Sequence, residues 1–222
     1  FACLRMDRFV HGRVLFAGDA AHGVSPFGAR GANSGVQDTD NLAWKLDLVL
    51  RGVAPRALLD TYGPEREYAA DENLLNSTRA TDFITPKSSI SRLFRDATLD
   101  LARQHPFARR LVNSGRLSVP ATLHGSPLNT PDRDVFAGAM VPGAPAVDAP
   151  LTDAEGGGWL LRRLAGNGFA ALVFDGDGAA VTAGAEGIVP VDRVHLSATG
   201  TAAARYDARP GTVVLLRPDQ HV

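Results

Sequence analysis

The sequence predicts a protein of the α/β class, with helices in its first half and a small α/β domain in its second half. The first observation is an amphipathic pattern over residues 34–51, which is typical of a long helix. The second is a stretch rich in proline and glycine, residues 115–158, which separates the two halves. The third is a pair of apolar runs, 170–174 and 212–216, that are typical of buried strands.

The first half begins with an apolar run at 13–17, which predicts a buried strand that leaves the core at Gly18. A loop of small residues then leads to the helix at 34–51. Gly52 suits the position just past the last turn of this helix, and Pro55 prevents the helix from restarting.

More polar helical patterns follow this first helix. The charged residues between positions 65 and 79 are expected to form a solvated helix face. Pro64 is well placed in the first turn of its helix, because proline fixes a helical backbone angle without needing its missing N–H. The predicted helical segments are 58–62, 65–81, 91–104 and 107–114.

The second half contains a helix at 159–164, the two apolar strands and a turn at 175–178. We divide the chain into a first domain at 1–115, a connector at 116–131 and a second domain at 132–222. Because the chain starts at Phe1 and stops without a tail, we interpret it as part of a longer protein.

Composition excludes several classes of function. The 23 basic and 24 acidic residues are nearly balanced, and no basic stripe interleaved with aromatics predicts nucleic-acid binding. Cys3 is the only cysteine, and the histidines show no metal-ligand spacing, so we expect neither a disulfide nor a metal site. No apolar run is long enough to cross a membrane, and no signal segment is visible, which favours a soluble cytoplasmic protein without membrane partners.

The segment from Gly12 to Leu46 carries the residues suited to chemistry. Gly18 ends the first strand and lets a ligand approach the backbone closely, and Asp19 offers carboxylate oxygens to a sugar-like hydroxyl. The loop with Pro26 feeds the amino end of the long helix. Unpaired N–H groups there, together with the helix dipole, suit a ring that becomes an anion on reduction. These N–H groups belong to Gly31, Ala32 and Asn33.

The runs GRVLFAGDAAH, PFGARGAN and QDTDNLAWKL resemble the second flavin fingerprint of the class A FAD-dependent aromatic monooxygenases. The resemblance implies that Gly18 and Asp19 hold the ribityl chain of FAD. It also implies that Pro26, Gly28 and Gly31 form the loop over the ring, and that the N–H groups of Ala32 and Asn33 face its pyrimidine side. Ser25 and Phe27 depart from the family pattern, which often has a second proline and a small hydroxyl residue there.

By this resemblance, the parent protein uses FAD and NADH or NADPH to hydroxylate a phenol-type substrate with dioxygen, through a flavin hydroperoxide. No side chain is assigned as a catalytic acid or base. The last third resembles the thioredoxin-like domain of the phenol and hydroxyphenylpropionate hydroxylases, and without cysteine it is expected to be redox-inactive. A packing or subunit-contact role, as in a homodimer, is expected of it.

Other interpretations stay open at this point. The family's first nucleotide fingerprint is not in these 222 residues, so this chain alone is expected to bind FAD poorly and to be colourless. The parent could be an epoxidase, a reductase or a halogenase, and the chain could be a non-catalytic association module. His22 is expected to be a satisfied loop residue and Trp44 a core residue. Arg30 is expected either to attract a carboxylate or to face water.

Overall fold

The computed structural model describes residues 2–26, 30–112, 119–166, 168–175 and 189–222, and it confirms the α/β class. The Cα positions divide into two compact units. Unit 1 contains residues 1–39 and 63–121, and unit 2 contains residues 40–62 and 122–222. The predicted domain boundaries at 115 and 132 stay a prediction. No helix in the described part of the chain is long and apolar enough to cross a membrane.

Unit 1 begins with four very short strands in two antiparallel pairs. Strand β1 (Leu4–Arg5) pairs with β4 (His22–Gly23), and β2 (Val10–His11) pairs with β3 (Val14–Leu15) as a hairpin. The prediction of a buried strand at 13–17 is wrong, because β3 has only two residues and Val14 is 55% exposed. Among the described residues β2 and β3 pair only with each other, and this leaves the Val14 side chain largely exposed to solvent.

Helix α1 (Arg30–Leu50) is 21 residues long. Its start was expected at Ser34, where the clear amphipathic pattern begins, and the helix in fact begins four residues earlier. Glycine disfavours a helix, but Gly31 packs here with its bare Cα side towards Val24, and a Cβ on it would meet the Val24 side chain at 3.7 Å. Tertiary packing therefore overrides the weak helix propensity of the first turn.

Helix α2 (Tyr62–Ile84) contacts α1 within unit 1 through polar side chains. Asn73 Nδ2 donates a 2.9 Å hydrogen bond to Ser34 Oγ in the second turn of α1, and both residues are buried. The expected solvated face at 65–79 is therefore wrong in part, because Glu65 and Arg66 are also buried. Two further helices complete this unit, α3 (Ser89–Gln104) and α4 (Arg109–Val112).

Unit 2 contains a three-stranded sheet with the order β6-β5-β7. The central strand β5 (Phe169–Phe174) runs parallel to β6 (Val191–Leu196) and antiparallel to β7 (Val213–Leu216). Both predicted strands are confirmed as β5 and β7. The predicted helix at 159–164 is also confirmed, as α5 (Leu160–Arg163).

The core of unit 2 lies against this sheet. Helix α6 (Thr201–Tyr206) was not predicted, and it covers the sheet with two buried alanines and Tyr206. The largest side chains of the core are fully buried, which makes apolar burial the main source of its stability. They are Leu160, Leu172, Phe174, Tyr206 and Leu216. The thioredoxin-like assignment stays a prediction, and positions 176–178 of the predicted turn lie outside the described residues.

Candidate functional site

The site predicted from the sequence lies in unit 1, where a loop meets the amino end of α1. Gly18 and Asp19 belong to a short 3₁₀ turn, Gly18–Ala20, that follows β3. Gly18 has a backbone φ of +59°, a left-handed conformation that favours glycine. A Cβ added to Gly35 would lie 3.2 Å from the Gly18 Cα atom, so the turn rests directly on the backbone of α1.

The Asp19 side chain points away from the protein interior. Asp19 is exposed, and its carboxylate has no hydrogen-bond or ion-pair partner among the residues that the structure describes. A carboxylate that only capped its own turn would accept a backbone N–H, and this one accepts none. The geometry leaves both oxygens of Asp19 available to a ligand.

The first turn of α1 is open as well. Ala32 and Asn33 are exposed and Gly31 is partly exposed. The start of an α-helix presents backbone N–H groups and the positive end of the helix dipole, which favours a ligand that accepts hydrogen bonds there. With a rise of about 1.5 Å per residue, Gly31 lies about 6 Å along the helix axis from Gly35, on which Gly18 rests. The structure thus brings the carboxylate and the helix start into one small region.

Pro26 is exposed in the connecting loop. Gly28 and Phe27 lie outside the described residues. Ser25, the departure from the family pattern, is buried. Its N–H donates to Cys3 Sγ at 3.2 Å and its Oγ accepts from Thr81 Oγ1 at 3.0 Å, and a proline could make neither contact.

A buried carboxylate that the sequence analysis did not single out lies directly under this site. Asp38, on α1, is fully buried. Its Oδ2 accepts the Gly18 N–H at 2.9 Å and His22 Nε2 at 2.7 Å, and its Oδ1 accepts Arg66 Nε at 2.7 Å. His22 is therefore a buried, hydrogen-bonded residue, which agrees with the structural role expected of it.

Charge and hydrogen bonding keep Asp38 ionised despite its burial. Burial alone raises the pKa of a carboxyl group, because it penalises the charged form. Here the hydrogen bond from His22, the charge and hydrogen bond of Arg66 and the N–H of Gly18 outweigh that effect. The pKa of Asp38 is lowered from its ordinary value.

The structure also places two other residues that the sequence analysis weighed. Arg30 is buried, and its NH2 group donates to the Val119 carbonyl at 3.0 Å, so the expectation that it faces water is wrong. Trp44 lies in unit 2, where its ring meets Phe169 edge-on with 5.6 Å between centroids. This packing agrees with the core role expected of Trp44.

The sequence analysis did not assign Arg66 or Asp38 to the site, and it expected Arg66 on a solvated helix face. A signal for Arg66 was present in the sequence. Tyr62, Arg66, Ala69 and Asn73 recur at intervals of three or four residues, and all of them are buried. A buried helix face with alanines beside polar residues is recognisable by that spacing, although it contains few large apolar side chains.

These residues meet the chemical needs of a flavin. The ribityl chain of FAD carries hydroxyl groups that can donate hydrogen bonds to an exposed carboxylate. The pyrimidine edge of the ring carries atoms that can accept hydrogen bonds from helix N–H groups. Asp19 and the first turn of α1 provide this set in one region. Residues 3–77 match the family model of the FAD binding domain. This part of the chain belongs to the FAD binding domain family, and the chain as a whole is similar to flavin-dependent monooxygenases.

Proteins similar to this chain include monooxygenases of two Streptomyces species. Tetracenomycin B2 monooxygenase-dioxygenase of Streptomyces olivaceus is 58% identical over 66 residues, 30% of this chain and 12% of that protein. The 6-methylpretetramide 4-monooxygenase of Streptomyces rimosus is 33% identical over 238 residues, 95% of this chain. Among solved structures, the rebeccamycin biosynthetic enzyme RebC with reduced flavin has a TM-score of 0.71 and 30% identity, over 97% of this chain.

The chain spans 41% of the length of the Streptomyces rimosus relative and 42% of the RebC chain. The expected family and the cofactor FAD are confirmed by these matches. The individual ligand contacts of Gly18, Asp19, Pro26, Gly28, Gly31, Ala32 and Asn33 stay a proposal.

Proposed function

We propose that this chain supplies the ribityl and ring-binding part of an FAD-dependent monooxygenase that hydroxylates a phenol-type aromatic substrate. The observation that carries the proposal is the exposed carboxylate of Asp19, which has no partner among the described residues, together with the exposed positions Ala32 and Asn33 in the first turn of α1. The names of the similar proteins support the reaction class, since they include a 6-methylpretetramide 4-monooxygenase and a tetracenomycin B2 monooxygenase-dioxygenase.

Each part of the site has a role of its own. The Asp19 carboxylate accepts hydrogen bonds from the ribityl hydroxyls and fixes the direction of the sugar-alcohol chain. The N–H groups of Gly31, Ala32 and Asn33 donate to the pyrimidine edge, and the positive end of the 21-residue helix stabilises negative charge there. The Pro26 ring is exposed, and its fixed backbone angle restricts the chain at that position.

Bound FAD supplies electron transfer from NADH or NADPH and the activation of dioxygen. In the overall reaction, one oxygen atom of dioxygen enters the aromatic ring as a hydroxyl group and the other leaves as water. The nicotinamide donates two electrons and one proton, and the solvent donates the second proton. No side chain of the site needs to act as acid or base, because the residues bind, orient and stabilise charge.

The proposal is tested by replacing Asp19 in the full-length protein. Asp19→Asn keeps the shape of the side chain and removes its charge. FAD affinity, measured by quenching of flavin fluorescence, is expected to fall about tenfold or more, which is about 1.4 kcal/mol. The matched control is Asp7→Asn, which neutralises another exposed aspartate of unit 1 and is expected to leave the affinity unchanged.

Product analysis separates the hydroxylase from the other activities. The full-length protein with FAD and a phenol is expected to consume NAD(P)H and release a hydroxylated product in equal amounts. An epoxide, or NAD(P)H consumption with a reduced product, would identify a different flavoprotein activity. An Asp19→Asn variant with wild-type FAD affinity would refute the assigned site.

A further inference from the structure

The buried carboxylate of Asp38 bridges the turn that carries Asp19. Its Oδ2 atom accepts the N–H of Gly18, directly before Asp19, and the imidazole Nε2 of His22, three residues after it. Both bonds are short, 2.9 Å and 2.7 Å, and they end on the same oxygen atom. The two ends of the turn are therefore tied to one point on α1.

The other oxygen of Asp38 fixes that point in space. Oδ1 accepts Arg66 Nε of helix α2 at 2.7 Å, and the side chains of both residues are almost completely buried. The carboxylate thus cannot rotate without losing an ion pair. In a buried site, such a bond is strengthened by the low local dielectric, and an unpaired charge left behind is costly.

Backbone contact adds a second constraint on the same turn. Gly35 and Asp38 are one helical turn apart on α1, and Gly18 touches both of them, one through its Cα atom and the other through its N–H. Gly18 has its left-handed φ at this point of double contact. The direction in which the next residue leaves the turn is consequently set by α1.

We propose that Asp38 is a positioning residue of the flavin site, and that it acts by holding the Gly18 peptide and so aiming the Asp19 carboxylate at the ribityl chain. This inference rests on the proposed function, because it assigns Asp38 a role towards the ligand of Asp19. A purely stabilising role explains the geometry less well. Buried ion pairs contribute little net stability compared with apolar packing of the same volume, whereas they fix direction.

A double-mutant cycle in the full-length protein tests the inference. The variants are Asp38→Asn, Asp19→Ala and the pair together, each stripped of FAD and titrated with it. We expect Asp38→Asn alone to weaken FAD binding about tenfold. In the Asp19→Ala background, the same change is expected to weaken binding less than about twofold, since the residue through which it acts is absent.

The outcomes of the cycle are distinct. If Asp19→Ala leaves FAD affinity unchanged, the proposed flavin site is wrong and the inference fails with it. If Asp19→Ala weakens binding but Asp38→Asn does not, or multiplies the loss fully in the double variant, the inference alone is overturned. Circular dichroism of the bound flavin gives a second readout, which is expected to change in Asp38→Asn because the ligand is held differently.

Two further variants keep the test decisive. Asn73→Ala removes the buried hydrogen bond to Ser34, another contact between α1 and α2. It is expected to lower the melting temperature and to change FAD affinity less than about threefold. If Asp38→Asn does not fold, His22→Phe removes one donor and retains an aromatic ring opposite Phe9. Threefold weaker binding that disappears in the Asp19→Ala background supports the inference, and additive losses overturn it.

Discussion

Gly18 and Gly35 meet backbone to backbone, so that a Cβ on Gly35 would lie 3.2 Å from the Cα atom of Gly18. This contact joins the turn of Asp19 to helix α1 without any side chain between them. It is also the place where a single methyl group tests the geometry of the site most directly.

The Gly35→Ala change is expected to shift the turn by a few tenths of an ångström. Alanine favours a helix over glycine by roughly 0.5–1 kcal/mol. This gain offsets the cost of shifting the turn, so the free energy of unfolding is expected to change little. FAD affinity is expected to fall about threefold to tenfold, and Gly35→Val is expected to weaken it further, because two more methyl groups must be accommodated. Fluorescence titration and thermal melts of the same samples measure both effects. Unchanged affinity in Gly35→Val would contradict this prediction.

Gly18→Ala separates backbone strain from lack of space. The added Cβ would meet the Gly35 Cα atom at an ordinary 3.6 Å, but the φ of +59° costs a non-glycine residue about 1–2 kcal/mol. We expect lower stability and weaker FAD binding together. Gly12→Ala is the matched control, since Gly12 has a φ of +62° and open space around its Cα. It is expected to lose a similar amount of stability and to keep wild-type FAD affinity.

The sequence predicted the parts of the fold that depend on local pattern. The hydrophobic pattern alone predicts strands β5 and β7 and helix α1, because one face of each must be buried. Strand β6 escaped prediction, since it is an edge strand of the described sheet and carries Asp192, Arg193 and His195 on exposed positions. Its alternation places only Val194 and Leu196 in the core.

The predicted site residues followed from a motif, but the support beneath them did not. Whether Asp38 and Arg66 meet in the interior depends on how α1 packs against α2, 28 residues further along the chain. A charge on a helix is usually exposed, and local spacing alone does not reveal a partner on another element. The contact between Gly18 and Gly35 was equally hidden, because it involves only backbone atoms.

The buried carboxylate of Asp219 in unit 2 is expected to make the free energy of unfolding depend on acid pH. Burial alone would raise the pKa of Asp219, but His221, with Nδ1 3.7 Å from Oδ1, and the charge of Arg217 lower it strongly. A carboxylate with a lowered pKa in the folded state contributes stability above its unfolded pKa, about 3.9, and loses that contribution as the pH falls further. Asp219→Asn is expected to cost about 3–5 kcal/mol at pH 7, because it breaks an ion pair between two buried side chains.

Urea unfolding at several pH values checks this prediction. The difference in free energy of unfolding between wild type and Asp219→Asn is expected to be constant from pH 6 to 8 and to shrink below about pH 4. Asp100→Asn is the control, because Asp100 belongs to an exposed pair with Arg103 and is expected to change stability by less than about 0.5 kcal/mol. A difference that stays constant down to pH 2 would show that the charge of Asp219 is not involved.

Tyr206 is expected to make the free energy of unfolding depend on alkaline pH, because its pKa is raised and not lowered. Burial raises the pKa of Tyr206 to about 12, and its hydroxyl donates to the Val147 carbonyl at 2.9 Å and accepts the Val147 N–H at 3.0 Å. A tyrosine whose pKa is raised in the folded state stabilises the protein below the unfolded pKa, about 10, and this contribution is lost as the pH rises above that value. The phenolate is disfavoured in the core of unit 2 because it would be poorly solvated.

Tyr206→Phe removes both hydrogen bonds and keeps the ring. The free energy of unfolding is expected to fall by about 1–3 kcal/mol at pH 7, since the N–H and carbonyl of Val147 lose their partner. Absorbance at alkaline pH is expected to show a tyrosine that titrates near pH 12 in the wild type, and this transition is expected to be missing in the variant. The loss of stability between pH 10 and 12 is expected to be smaller in the variant, because phenylalanine has no proton to lose. Equal losses in the two proteins would place the alkaline transition on another group.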